Sequence, residues 1–175
     1  MTSIDINKLK SAVNKENFIF NNFENKNLDI ELIYDSNFEN SKILRNLMDI
    51  IWKKLNLLEK DLSRLILVID ELNNNAIEYW TDKLWKNKFR IKIVNNWDSI
   101  LFNIEVEDNW KWDSAKTTLE METLRAHQLK LWYGLHSSIR WRWLFMIIVK
   151  SVDRLYFKDS DEWWLIVWVY KNIKI

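Results

Sequence analysis

Apolar and polar residues alternate from Leu28 to Tyr34, in the run Leu-Asp-Ile-Glu-Leu-Ile-Tyr, and a period of two predicts a half-buried strand. Ser41 then precedes Ile43, Leu44, Leu47, Met48, Ile51 and Leu55, whose three-and-four spacing predicts an amphipathic helix opening after that serine. A second helix is predicted from about Glu59 to Tyr79. Its buried face carries Leu62, Leu65, Ile66, Ile69, Leu72, Ala76 and Ile77, and Asp70, Asn73 and Asn74 fall at polar positions. Two strands, Phe89 to Asn95 and Ser99 to Val106, follow around a tight turn at Asn96-Trp97. From Asn109 to Ile139 no periodicity is sustained beyond a helix around Leu119 to Leu131, so the segment at about 109–140 reads as a lid or an insertion. A short apolar helix from Leu144 to Val152 and two strands, Arg154 to Phe157 and Leu165 to Tyr170, complete the pattern.

This order predicts an α/β (α+β) two-layer sandwich, with helices on one face of a mixed, largely antiparallel sheet. Residues 28–175 form the expected domain. Residues 1–27 are rich in Asn and Lys with only a weak helical pattern (Leu9, Val13, Phe18), and read as a loosely attached extension.

Charge adds little to this picture, and tryptophan adds much. The 26 basic and 25 acidic residues are interspersed, with a net charge of +1, so no field recruits nucleic acid or an anionic membrane. With no cysteine the chain has no disulfide and no thiolate chemistry, which fits a reducing compartment. Met1 to Lys10 contains Asp5 and lacks the apolar centre of a secretory signal. The apolar runs Trp143–Val149 and Trp163–Tyr170 are too short to span a bilayer. A soluble cytoplasmic protein is expected, one that binds neither nucleic acid nor membrane directly. The chain of 175 residues nevertheless has 12 tryptophans and 1 glycine, where average usage near 7% would give about twelve glycines. Trp97 stands where a two-residue hairpin favours glycine with positive φ.

Three clusters carry candidate chemistry. In Glu71-Leu72-Asn73-Asn74-Asn75-Ala76, Glu71 and Asn75 are four apart and share a helix face. A carboxylate and a carboxamide placed so can share a hydrated magnesium ion, and on a solvated helix they can equally be ordinary surface residues. In Glu107-Asp108-Asn109-Trp110-Lys111-Trp112, glycines at 110 and 112 would let a backbone approach a ligand while Asp108 accepts from an exocyclic amine such as that of adenine. As written, the segment is an acidic turn with two indoles. In Arg140-Trp141-Arg142-Trp143-Leu144, glycines at 141 and 143 would present N–H groups and a helix N-terminus to phosphates. As written, it is an arginine–tryptophan cluster suited to cation–π packing. His127 and His136 stand without a cysteine or third histidine nearby, which argues against zinc.

In this order and spacing the three motifs, over about residues 28–173, resemble the Bergerat (GHKL) ATP-binding domain of gyrase, heat-shock chaperones, histidine kinases and MutL. Within that family the likeness is strongest to the bacterial anti-sigma factor serine/threonine kinases. The resemblance implies Mg-ATP as cofactor, Glu71 as general base and Asn75 as magnesium ligand. It implies that Asp108 reads the adenine, and that Trp110, Trp112, Trp141 and Trp143 occupy the glycine positions of the lid and phosphate loops. Arg140 and Arg142 would face the phosphates, Arg140 stabilising transition-state charge. The implied partners are a small antagonist protein as substrate, a sigma factor to sequester, and a second copy in a homodimer. A histidine-kinase-type domain is the alternative within enzymes; a catalytically dead protein-binding module is the alternative if the indoles are genuine. The chain departs from the family pattern at Trp163-Trp164-Leu165, where Gly-Thr is common. A glycine codon UGA, as some bacterial lineages use it, translated as tryptophan accounts for the deficit and the excess together.

Overall fold

The computed structural model describes residues 1–78, 86–107, 117–130, 150–160 and 165–175. Its elements run β1 (Thr2–Asp5), α1 (Ile6–Ser11), α2 (Lys15–Phe20), β2 (Phe23–Glu24), β3 (Asn27–Tyr34), α3 (Glu39–Leu55), α4 (Glu59–Glu78), β4 (Asn87–Asn95), β5 (Ser99–Glu107), α5 (Thr118–Lys130), β6 (Arg154–Asp159) and β7 (Leu165–Lys174). The strands form one sheet in the order β1-β3-β4-β5-β7-β6, with β2 on β3. Every pairing is antiparallel except that of β1 with β3. The result is an α+β chain with a mixed, largely antiparallel sheet, as the hydrophobic pattern predicts.

Period-two alternation gives the sheet two unlike faces. On one, Leu28, Ile30 and Leu32 pair with Ile93, Ile91 and Phe89, which pair in turn with Phe102, Ile104 and Val106. The apolar stripes of α3 and α4 join this face in a single core containing Leu44, Leu47, Met48, Leu65, Val68 and Ile69. Trp52 of α3 lies on Phe102 with ring centroids 5.3 Å apart. The other face carries the polar partners of the same strands: Glu31 opposite Arg90, Arg90 opposite Glu105, Lys88 opposite Glu107.

Several boundaries differ from the periodicity: β4 opens two residues earlier, at Asn87, and β6 and β7 run on to Asp159 and Lys174. The first long helix opens at Glu39, with its backbone N–H donating to Asn37 Oδ1 at 2.9 Å, so Ser41 lies inside the first turn instead of ahead of it. It ends at Asn56, which takes the left-handed conformation (φ 54, ψ 47) and donates its N–H back to Lys53 and Trp52 carbonyls. At the β4–β5 tip the Asn96 N–H bonds Ser99 O at 2.8 Å. Positive φ among the described non-glycine residues occurs at Asn25, Lys26 and Asn56. Trp97 therefore sits in ordinary backbone space, and the expectation of a glycine-type turn there is corrected. The turn that does need positive φ is Asn25-Lys26, between β2 and β3, with φ of 50 and 65.

The loose attachment expected for residues 1–27 is also corrected. Thr2 to Asp5 pairs in register with Ile30 to Ile33 as an edge strand. Ile6, Leu9 and Ile19 are buried in the common core. The periodicity was weak because each helix is only about two turns long, too short for a stripe to repeat.

Candidate functional site

α4 places Glu71 and Asn75 one helical turn apart, both half-buried, while Leu72, Asn73, Ala76 and Ile77 between and beyond them are buried. Carbons of such a pair lie about 5–6 Å apart. α4 packs against β5, and the last residue of β5, Glu107, immediately precedes Asp108. The helix turn bearing Glu71 and Asn75 and the strand leading into Asp108 thus belong to adjacent elements. Asp108, Trp110, Trp112, Arg140, Trp141, Arg142 and Trp143 lie outside the described residues, as do most of the expected helix 144–152 and Trp163-Trp164.

The setting of α4 is fixed by polar contacts to α3. Arg45 Nε donates to Asp70 Oδ1 at 2.8 Å and Oδ2 at 2.9 Å, and this hydrogen bond raises the guanidinium pKa above its usual value. Deeper in, Asn73 Nδ2 donates to Ser41 Oγ at 2.7 Å, and Ser41 Oγ donates to Asn74 Oδ1 at 3.3 Å. Asn73 has 0% exposure. Its assignment to the polar face from sequence is thereby corrected: it is a buried carboxamide in an otherwise apolar stripe. Beside it, Asn40 Nδ2 donates to Asp35 O at 2.8 Å and to Asp35 Oδ1 at 3.1 Å. That side-chain bond is the main reason the Asp35 carboxyl titrates below its usual range.

Within the segment expected to be a lid, α5 is docked on the sheet margin. Thr117 and Glu120 form a reciprocal cap, Glu120 Oε2 accepting from Thr117 N at 2.7 Å and Glu120 N donating to Thr117 Oγ1 at 3.3 Å. Thr118 Oγ1 donates to Asp159 Oδ1 of β6 at 2.8 Å, Arg125 Nη1 donates to Leu155 O at 2.7 Å, and Met121 enters the core. α5 is thus anchored to β6 and to the core in this structure, and His127 is exposed on it.

Glu71 and Asn75 offer oxygen donors only. Among the described residues no group of three or more His, Cys, Asp or Glu side chains gathers as a metal cage. A pair of oxygen donors of this kind suits a hydrated magnesium ion more than a metal held by a full protein cage. Among the described residues no helix is long and apolar enough to cross a membrane.

No protein-family model matches the chain, and no curated protein matches it.

The polar face of the sheet and the Asn73–Ser41–Asn74 contacts are the parts that sequence reading did not reach. For the sheet face a signal existed: Glu31, Arg90 and Glu107 alternate with apolar residues in their strands, so register alone would bring them together.

Proposed function

We propose that the chain is an ATP-binding serine/threonine protein kinase domain of the anti-sigma type on a Bergerat-like fold, acting on a small antagonist protein. The observation that carries this reading is the placement of Glu71 and Asn75 on one half-buried face of α4, beside the strand that runs into Asp108. Glu71 takes the proton from the attacking serine or threonine hydroxyl; a positioned base of this kind contributes roughly 10²–10⁴-fold. The serine oxygen bonds the γ-phosphorus as the bond to ADP breaks. Asn75 holds magnesium, which neutralises phosphate charge when bound. Asp108 accepts the adenine amine, and Arg140 and Arg142 meet the phosphates.

Phosphate loops leave no room for indoles, so the proposal concerns the chain with glycine at 110, 112, 141 and 143. The test is ATP binding by the variant carrying Trp→Gly at these positions, against the chain as written. Mg-ATP binding in the variant alone is expected; no binding in either overturns the reading. Labelled ATP with a candidate antagonist protein then reports the acceptor: acid-stable phosphoserine or phosphothreonine fits the serine/threonine kinase, acid-labile phosphohistidine the histidine-kinase type.

A further inference from the structure

We infer that Ser41, bridging Asn73 and Asn74, is a positioning device that sets the rotation of α4 and so aims Glu71 and Asn75. The inference rests on the function proposed above for that pair. Successive helix residues are about 100° apart, so Asn73 stands about 160° from Glu71 on one side and from Asn75 on the other. It lies diametrically opposite the pair, at the buried back of the same turn. Apolar packing between α3 and α4, through Leu44, Leu47, Leu65 and Leu72 among others, is non-directional and leaves a helix able to roll or slide slightly. A hydrogen bond between buried groups is directional and has one good geometry.

Two such bonds converge on one hydroxyl here. Ser41 Oγ accepts from Asn73 at 2.7 Å and donates to Asn74 at 3.3 Å, and Ser41 and Asn73 are both buried. These contacts act on the residues between Glu71 and Asn75 and on no others of α4. The anchor for Ser41 is itself held: its neighbour Asn40, wholly buried, is tied to the backbone and carboxylate of Asp35 where β3 leaves the sheet. The chain of contacts therefore runs from the sheet through the first turn of α3 to the turn of α4 that bears the pair. Ser41 touches neither Glu71 nor Asn75 in these contacts, so its role is positioning.

The test starts from the protein with glycine at 110, 112, 141 and 143, and compares Ser41→Ala, Ser41→Thr and the core control Leu44→Ala. Ser41→Ala should raise the magnesium concentration needed for half-maximal turnover about tenfold and lower kcat, as loss of a contact behind a ligand does. Ser41→Thr, which keeps the hydroxyl, should restore both. Leu44→Ala, matched or greater in its loss of Tm, should leave the magnesium requirement in place. Equal behaviour of Ser41→Ala and Leu44→Ala overturns the inference. If Ser41→Ala does not fold, Asn74→Ala, which removes only the acceptor end, replaces it with the same expectations. If the parent binds no Mg-ATP, the proposed function fails and the positioning role is read without nucleotide, from the NMR resonances of the Glu71 amide and the Asn75 carboxamide. Their movement in Ser41→Ala, without movement in Leu44→Ala, supports the device; unmoved resonances overturn it.

Discussion

Trp52 and Trp97 put one side chain under opposite conditions. The Trp52 indole is 2% exposed, rests on Phe102, and donates from Nε1 to Leu58 O at 3.0 Å, closing the loop after α3. Trp97 is 92% exposed at a hairpin tip. Trp52→Gly should cost on the order of 5 kcal/mol, from the lost indole and a glycine in a helix, which is enough to unfold a domain of ordinary stability. Trp97→Gly should change stability by about 0.5 kcal/mol or less. Urea denaturation of the two variants measures both, and the gene adds a direct reading: if glycine codons lie behind the excess, position 52 is encoded by UGG and position 97 by UGA. Asp35 provides a second prediction at this scale. A carboxyl held below its ordinary range stabilises the fold above the unfolded value of about 3.9, and that contribution disappears as pH falls through the lower folded value. Asn40→Ala removes the bond chiefly responsible. Its stability deficit should be largest near neutrality and shrink below pH 4, as urea titrations across that range would show.

At the scale of elements, the long strands and helices were legible because each repeats its pattern often enough to be counted. α4 runs Glu59–Glu78 where Glu59 to about Tyr79 was expected, and β5 runs Ser99–Glu107 where Ser99 to Val106 was expected. Short elements were not legible: β1 and β2 derive their order from contacts with β3, and α1 and α2, though capped by Asp5 and Asn14, are too short for an apolar stripe to repeat. Of the candidate site, the shared helix face of Glu71 and Asn75 follows from their spacing, while the role assigned to them rests on the company of the other motifs; Ser41 looked like a helix start because serine favours that position in general. The charged face of the sheet belongs to the same class of long-range features. Arg90 Nε meets Glu31 Oε2 at 2.6 Å and Nη2 meets Glu107 Oε2 at 2.6 Å, and Lys88 Nζ lies 3.0 Å from Glu107 Oε1. Burial pulls the Arg90 pKa down, but the hydrogen bond to Glu31 and the charges of Glu107, Glu31 and Glu105 more than reverse it. Arg90→Met removes the cation from the largely buried Glu31, while Glu107 keeps Lys88, and should destabilise the fold by about 3 kcal/mol. The double change Arg90→Met and Glu31→Gln should recover much of that loss, because the carboxylate left without a cation goes too; chemical denaturation of both proteins checks the difference.

For the whole molecule, the N-terminal residues decide where the fold ends. A protein lacking residues 1–27 would uncover the β3 edge along Ile30 to Ile33 and remove Ile6, Leu9 and Ile19 from the core. That fragment should be insoluble or lose cooperative unfolding, with aggregation visible by size-exclusion chromatography, since a bare apolar edge templates association. A cooperative, monomeric 28–175 fragment would show instead that the attachment is dispensable. The position of β3 between β1 and β4 has a further consequence during synthesis. β3 is made early, but its antiparallel neighbour β4 begins only at Asn87, after two complete helices. At roughly 5–20 residues per second, Leu28 to Tyr34 leaves the ribosome several seconds before β4 can pair with it. Through that interval β1 and β2 are already made and can cover the edge of β3 that faces away from β4, so the N-terminal segment would shield that edge of the nascent strand as well as form a part of the finished sheet.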